Sequence, residues 1–174
     1  MGSQLKRILQ NISTRLKVGE IAKGVPKWAL EEVGKATQAA ITRLKGLGAT
    51  SEMIETALRN GANLEHTRRI GSRVGGIGWL EESRWTHLRD KHILPGGDWA
   101  KFSEAGIPEE QVEGKIFDTI KNPVKTIENS NSKRLCLFSE VISGISQYKY
   151  VKVVMGENGY IITAQPINTL TCTD

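Results

Sequence analysis

The chain has few of the residues that carry metal and redox chemistry. Its 174 residues include two cysteines, Cys136 and Cys172, with no CxxC pair and no Cys/His ladder, so a structural zinc site lacks a ligand set. Cys136 lies in an apolar, strand-like pattern. It is either buried filler or the partner of Cys172 in a disulfide, and the sequence leaves both open. Histidine occurs three times, as His66, His87 and His92. A metal site would have to combine His87 and His92 with Asp90 or Asp98, a spacing that matches no metal motif, so neither a metal nor another cofactor is expected. No apolar run approaches the ~18 residues that cross a membrane, which argues against stable membrane insertion. The N-terminus lacks the order of a secretion signal. Met1-Gly2-Ser3 reads as an added start, which expects a piece of a longer protein and makes a missing signal uninformative about the whole.

What is present is a soluble, globular composition, with 25% charged and 39% hydrophobic residues, long enough for one good core plus a helical extension. The net charge of +5 is unevenly placed. Residues 1–70 carry 12 Lys and Arg against 6 Asp and Glu, whereas residues 71–174 carry 12 against 13. Within the second part, Glu104, Glu109, Glu110, Glu113 and Asp118 form an acidic block. Lys125, Lys133, Arg134, Lys149 and Lys152 sit among strand-like residues. A basic sheet surface would suit a polyanion; a solvated sheet face is the plainer alternative.

The periodicity predicts an α+β chain: an N-terminal helical region, residues 1–70, then a helix-plus-four-stranded antiparallel sheet domain, residues 79–174. Leu5, Ile8, Leu9, Ile12 and Leu16 make an apolar helical stripe, broken at Gly19 and Gly24-Val25-Pro26. A longer helix buries Trp28, Ala29, Val33, Ala36, Ala40, Ile41 and Leu44. Ser51 is placed to cap a short helix that Asn60-Gly61 would stop. Residues 71–78 are too glycine-rich for a regular element and read as a hinge between domains. Pro108-Glu109-Glu110 starts a helix with Val112, Ile116, Phe117 and Ile120 inside, ended by Asn122-Pro123. Alternation then predicts strands over 124–128, 134–142, 148–155 and 160–166, a meander.

Arg84-Trp85-Thr86-His87-Leu88-Arg89-Asp90-Lys91-His92 is the segment with the most chemistry. Histidine gives and takes protons near neutrality, and neighbouring cations suit an anionic phosphodiester. Metal-free RNA cleavage needs a base for the 2′-hydroxyl, an acid for the leaving 5′-oxygen and donors to steady the phosphate. His87 and His92 are the acid/base candidates, with Lys91 and Arg84 as phosphate contacts. Their five-residue spacing sets the rings about 140° apart on a continuous helix, so they converge only if the helix ends near Lys91. Otherwise one is catalytic and the other packs. His66 reads as a surface residue. Alternation in the last strand puts Tyr160, Ile162 and Ala164 on one face and Ile161, Thr163 and Gln165 on the other, leaving Thr163 able to present its hydroxyl. Trp85, Trp99, Tyr148, Tyr150 and Tyr160 are of a type that stacks bases or packs a core.

The helical His/Lys segment, the following helix and a meander closing on Gly159-Tyr160-Ile161-Ile162-Thr163-Ala164-Gln165-Pro166 resemble the BECR superfamily, which unites barnase-, EndoU-, colicin D- and RelE-type ribonucleases. Within it, residues 79–168 look most like toxin domains at the C-termini of bacterial polymorphic and contact-dependent growth inhibition proteins. The resemblance implies a BECR-like domain and metal-independent cleavage of RNA, often tRNA, to a 2′,3′-cyclic phosphate. His87 and His92 would match the acid/base histidines and Thr163 the late-strand hydroxyl. Lys91, with Lys149 or Lys152 behind it, would match the catalytic cation. By residue type, Arg84, Lys149, Lys152 and Tyr160 are the substrate-binding candidates. It further implies export within a larger toxin, action in the target cytoplasm, a cognate immunity protein and, for some relatives, a translation elongation factor. A non-catalytic nucleic-acid-binding module, or a delivered toxin with deamidase or peptidase chemistry, are the alternatives.

Overall fold

The computed structural model describes residues 27–142 and 146–173, with side chains described from residue 34. The stripe from Leu5 to Leu16, the breaks that follow it and the Ser143-Gly144 turn lie outside the described residues. Among the described residues the fold is α+β, with four α-helices, a two-stranded and a four-stranded antiparallel sheet. Helix α1 (Lys27–Gly46) buries Ala40, Ile41 and Leu44. Helix α2 (Ser51–Asn60) buries Ile54, Ala57 and Leu58. Its cap is Thr50 and not Ser51: the Thr50 hydroxyl accepts from the Met53 amide at 3.1 Å. Gly61 ends the helix at φ 119°, a conformation that costs glycine nothing.

The expected hinge at 71–78 is a β-hairpin. After a single 3-10 turn (Leu64–His66), strand β1 (Thr67–Arg73) pairs antiparallel with β2 (Gly76–Glu81), Gly71 opposite Gly78. The helical reading of residues 1–70 therefore stops short of Thr67. These glycines serve close approach. A Cβ on Gly71 would collide with the Phe117 ring, and one on Gly78 would come within 2.7 Å of Ile120 Cδ1. Ile70, Ile77 and Trp79 of the hairpin share a core with α1 and α2, so no break in packing separates them. The arginines of β1 fasten the hairpin to the second half. Arg68 lies over Trp85 at 4.6 Å and pairs with Glu113; Arg69 lies over Phe117 at 4.5 Å.

Helix α3 (Glu82–His92) follows β2 directly, and α4 (Glu109–Lys121) begins after Pro108 as its acidic first turn suggests. Val112, Ile116, Phe117 and Ile120 are buried. Strands β3 (Lys125–Asn129), β4 (Arg134–Glu140), β5 (Tyr150–Gly156) and β6 (Ile161–Ile167) form the expected meander in the order β3-β4-β5-β6. Its inner face, with Leu135, Leu137, Val153, Met155, Ile161 and Ala164, packs on α3 and α4. A bulge shifts the β5–β6 register between Val154 and Met155, so Ile161 opposes Met155 while Thr163 opposes Val154. Ile161 and Thr163 therefore do not share a face, contrary to strict alternation.

The outer face is strapped by the C-terminal tail. Cys172 forms a disulfide with Cys136 of β4, Asn129 Nδ2 donates to the Cys172 carbonyl at 2.9 Å, and Lys152 Nζ reaches the Thr171 carbonyl at 3.5 Å. No helix among the described residues is long and apolar enough to cross a membrane.

The hairpin meets the meander at the turn Gly156–Gly159, where the Trp79 amide donates to the Gly159 carbonyl at 3.0 Å. Gly159 has φ +99°, and a Cβ there would strike the Ile77 carbonyl oxygen. Gly159→Ala should cost more than about 1 kcal/mol, read as a lowered denaturant midpoint. Cys172→Ser should cost roughly 2–4 kcal/mol, given the 36-residue separation of the crosslinked cysteines. Releasing the tail should also make Lys152, now 5% exposed, react faster with an amine reagent in peptide mapping.

Candidate active site

Helix α3 is ordered by its charges and its buried stripe. Glu82 lies in the first turn, and Arg89, Lys91 and His92 in the last, each favoured by the helix dipole. Trp85, Leu88 and His92 point inward. That leaves Arg84, His87 and Lys91, spaced three and four residues apart, on one flank about 10 Å long. The flank is fixed against β6, the last strand of the sheet. Ile162 is the residue skipped by the bulge, and Arg84 Nε donates to its carbonyl at 2.8 Å.

His87 is partly exposed on this flank. Desolvation, then the charges of Arg84 and Lys91, lower its pKa below the ordinary 6.5, with Asp90 opposing. The imidazole is therefore neutral at pH 7 and able to accept a proton.

His92 is placed differently. The helix runs on through it, so the condition under which the two rings could converge is not met. It is 3% exposed, and its Nδ1–H donates to the Ala100 carbonyl at 2.7 Å, which fixes the tautomer. Burial, Lys101, Lys91 and His87 lower its pKa, while the Ala100 bond opposes. So enclosed and hydrogen-bonded, the ring is held to the loop after α3 and is not presented to solvent beside His87. Lys101, 9% exposed, donates from Nζ to the Lys91 carbonyl at 2.6 Å and satisfies the helix end. Between them the chain turns through Gly96 at φ 114° and Gly97 at φ 69°.

The remaining candidates divide between the two sides of β6. Tyr160, just before the strand, packs edge-on to Trp79 at 5.9 Å. Burial and the Glu81 charge raise its pKa, with Arg84 opposing, so its hydroxyl stays protonated at pH 7 and lies in the electrostatic reach of Arg84. Thr163 is partly exposed on the outer face, opposite Val154. Lys152 shares that face but lies under the tail, its pKa lowered by burial. Lys149 is exposed, its amide bound to Asn168 Oδ1 at 3.1 Å. His66 is exposed in its 3-10 turn. Arg84, His87, Lys91 and the nearby Tyr160 thus form one cluster; Lys152 and Lys149 belong elsewhere.

Two further residues lie near the cluster, and of these only Trp99, one of the five aromatic candidates, was indicated by residue type. Lys101 is one. Trp99 is the other: it is 51% exposed, with Lys91 Nζ 4.4 Å from its ring centroid. A groove of about 420 Å³ opens between α4 and the segment after β4, lined by Ile107, Lys115, Asp118 and Val141 among others, but it includes no α3 residue. Among the described residues, no three His, Cys, Asp or Glu side chains are grouped to hold a metal ion.

The lowered His92 pKa makes stability pH-dependent. Below about pH 6.5 the unfolded chain gains a proton that folded His92 refuses, so stability falls on acidification. His87 adds in the same sense. Denaturant midpoints between about pH 7.5 and about pH 5 should show the decline, and His92→Gln should flatten most of it. No family model matches the chain, and no curated protein or solved structure matches it, so its function is to be read from the site itself.

Proposed function

We propose that the chain is a metal-independent ribonuclease whose working surface is the α3 flank. The observation that carries this reading is a partly exposed histidine flanked by two cations, one turn away on either side of it, whose pKa is lowered by desolvation and then by those two charges. A phosphodiester drawn to Arg84 and Lys91 would bring the neighbouring 2′-hydroxyl to His87. The imidazole takes the 2′-proton as O2′ bonds to phosphorus, and the P–O5′ bond breaks. Arg84 and Lys91 offset the charge on the crowded phosphate. The products are a 2′,3′-cyclic phosphate and a 5′-hydroxyl. With His92 enclosed, Tyr160 is the protonated group available to the leaving oxygen, and Thr163 lies next to the Ile162 carbonyl that Arg84 holds.

The resemblance of residues 79–168 to BECR-type toxin domains supports RNA, tRNA foremost, as the substrate. On that reading the chain is exported within a larger toxin and acts in the target cytoplasm. A cognate immunity protein would cover the cationic flank with acidic residues, and a translation elongation factor would be a possible accessory. One observation favours a second reading. Burial of His92 leaves no second exposed histidine beside His87, which suits a nucleic-acid-binding module that does not cut.

Incubation of the full chain with total bacterial tRNA in EDTA, followed on a denaturing gel, separates the two. Discrete fragments should appear, and His87→Ala should slow their formation by about 10²–10⁴-fold. The acid limb of kcat/KM should lie below pH 6.5. RNA that is retained in a binding assay but never cut would select the binding module. RNA neither bound nor cut would end both readings.

A further inference from the structure

The loop after α3 ends in an exposed tryptophan whose position the helix does not require. Trp99 is 51% exposed, yet its ring is held on several sides. Lys91 Nζ lies 4.4 Å from its centroid, and the His92 ring meets it edge-on at 6.1 Å. Gly97, left-handed at φ 69°, brings its backbone so close that a Cβ there would stand 3.1 Å from Trp99 Cδ1. A large aromatic surface kept in water costs free energy unless something covers it, and one held rigid loses little entropy when a ligand does.

The surroundings indicate what that ligand is. The ring continues the row of Arg84, neutral His87 and Lys91 beyond the end of α3, and Lys91 touches it directly. A flat apolar surface beside aligned cations matches one unit of a single-stranded nucleic acid, a base joined to a phosphate. We infer that Trp99 is the stacking platform for an unpaired base adjoining the phosphate bound at Lys91, which makes single-stranded or looped RNA the substrate class. This rests on the ribonuclease reading only for the word substrate; the binding itself does not depend on cleavage. Lys91 is then shared: its ammonium steadies the indole in the free protein and faces the phosphate in the complex.

The test uses the full chain and a short, single-stranded, all-deoxy oligonucleotide, which has no 2′-hydroxyl and cannot be cut by this chemistry. Binding is read by fluorescence anisotropy of a terminal label. Trp99→Ala should weaken binding roughly tenfold or more, and Trp99→Phe should restore most of it. An abasic strand of the same length should bind parent and Trp99→Ala alike, and the salt dependence of binding should be equal in both. An unchanged thermal midpoint would show that Trp99→Ala leaves the fold intact. Equal affinity of parent and Trp99→Ala for the base-bearing strand, or no binding at all, would overturn the inference. So would an equal loss on the abasic strand; a protein partner on this surface would give the first of these results. Trp99-dependent binding by a chain that cuts no RNA would sink the nuclease reading alone. Cutting with Trp99-independent binding would sink only this one.

Discussion

The turn Gly156–Gly159 fixes how the two halves of the molecule meet. Four separate anchors converge there. The Trp79 amide donates to the Gly159 carbonyl, Arg73 donates to the Glu157 carbonyl, and Asn60 and Asn158 exchange amide bonds at 3.0 and 3.2 Å. Helix α2, both hairpin strands and the β5–β6 turn are thereby tied at one point. The approach is closer than any side chain at Gly159 would allow, and the left-handed φ of +99° there asks for glycine independently. Once the turn is set, the start of β6 is set.

From that start the bulge follows, and from the bulge the site. An edge strand leaves carbonyls without ladder partners, and a residue skipped in the register has one pointing away from the sheet. Arg84 meets that need at Ile162 and ties to β6 the flank of α3 that burial of Trp85, Leu88 and His92 leaves outside. The same guanidinium adds to the desolvation that lowers the pKa of His87.

Much of the second half was legible because its signals are local. The apolar stripe of α4, its proline and asparagine boundaries and the alternation of four strands needed no tertiary knowledge. Gly61 as a helix stop was equally plain. The hairpin was not, because glycine signals freedom in a sequence and close packing in a structure; only the Phe117 and Ile120 side chains distinguish the two. Strict alternation misassigned Ile161 and Thr163 because a bulge is a property of the strand pair. The candidate site was half legible. Residue type pointed to His87, Lys91 and Arg84, whereas the separation of His87 from His92 depended on where α3 ends. Lys101, ten residues away, helps carry the helix through His92 by satisfying the Lys91 carbonyl, and no local pattern announces that.

The two sides of β6 show why residue type alone could not sort the candidates. Lys152 looked like a cation for substrate, but a lysine facing Phe138 and Gln165 across the sheet, under a crosslinked tail, is a desolvated group in need of an acceptor. The Thr171 carbonyl is there because the Cys136–Cys172 disulfide holds the tail down, and Asn129 holds the next carbonyl. Crosslink, strap and buried lysine thus form one structural unit on the outer face. On the α3 side Arg84, His87 and Lys91 are half-buried, and burial is light enough that His87 keeps contact with water. A site that exchanges protons with substrate needs reachable groups with settled charge states. On the proposed reading, the row on α3 and the tryptophan at its end would be the functional surface, with the sheet behind them as its support.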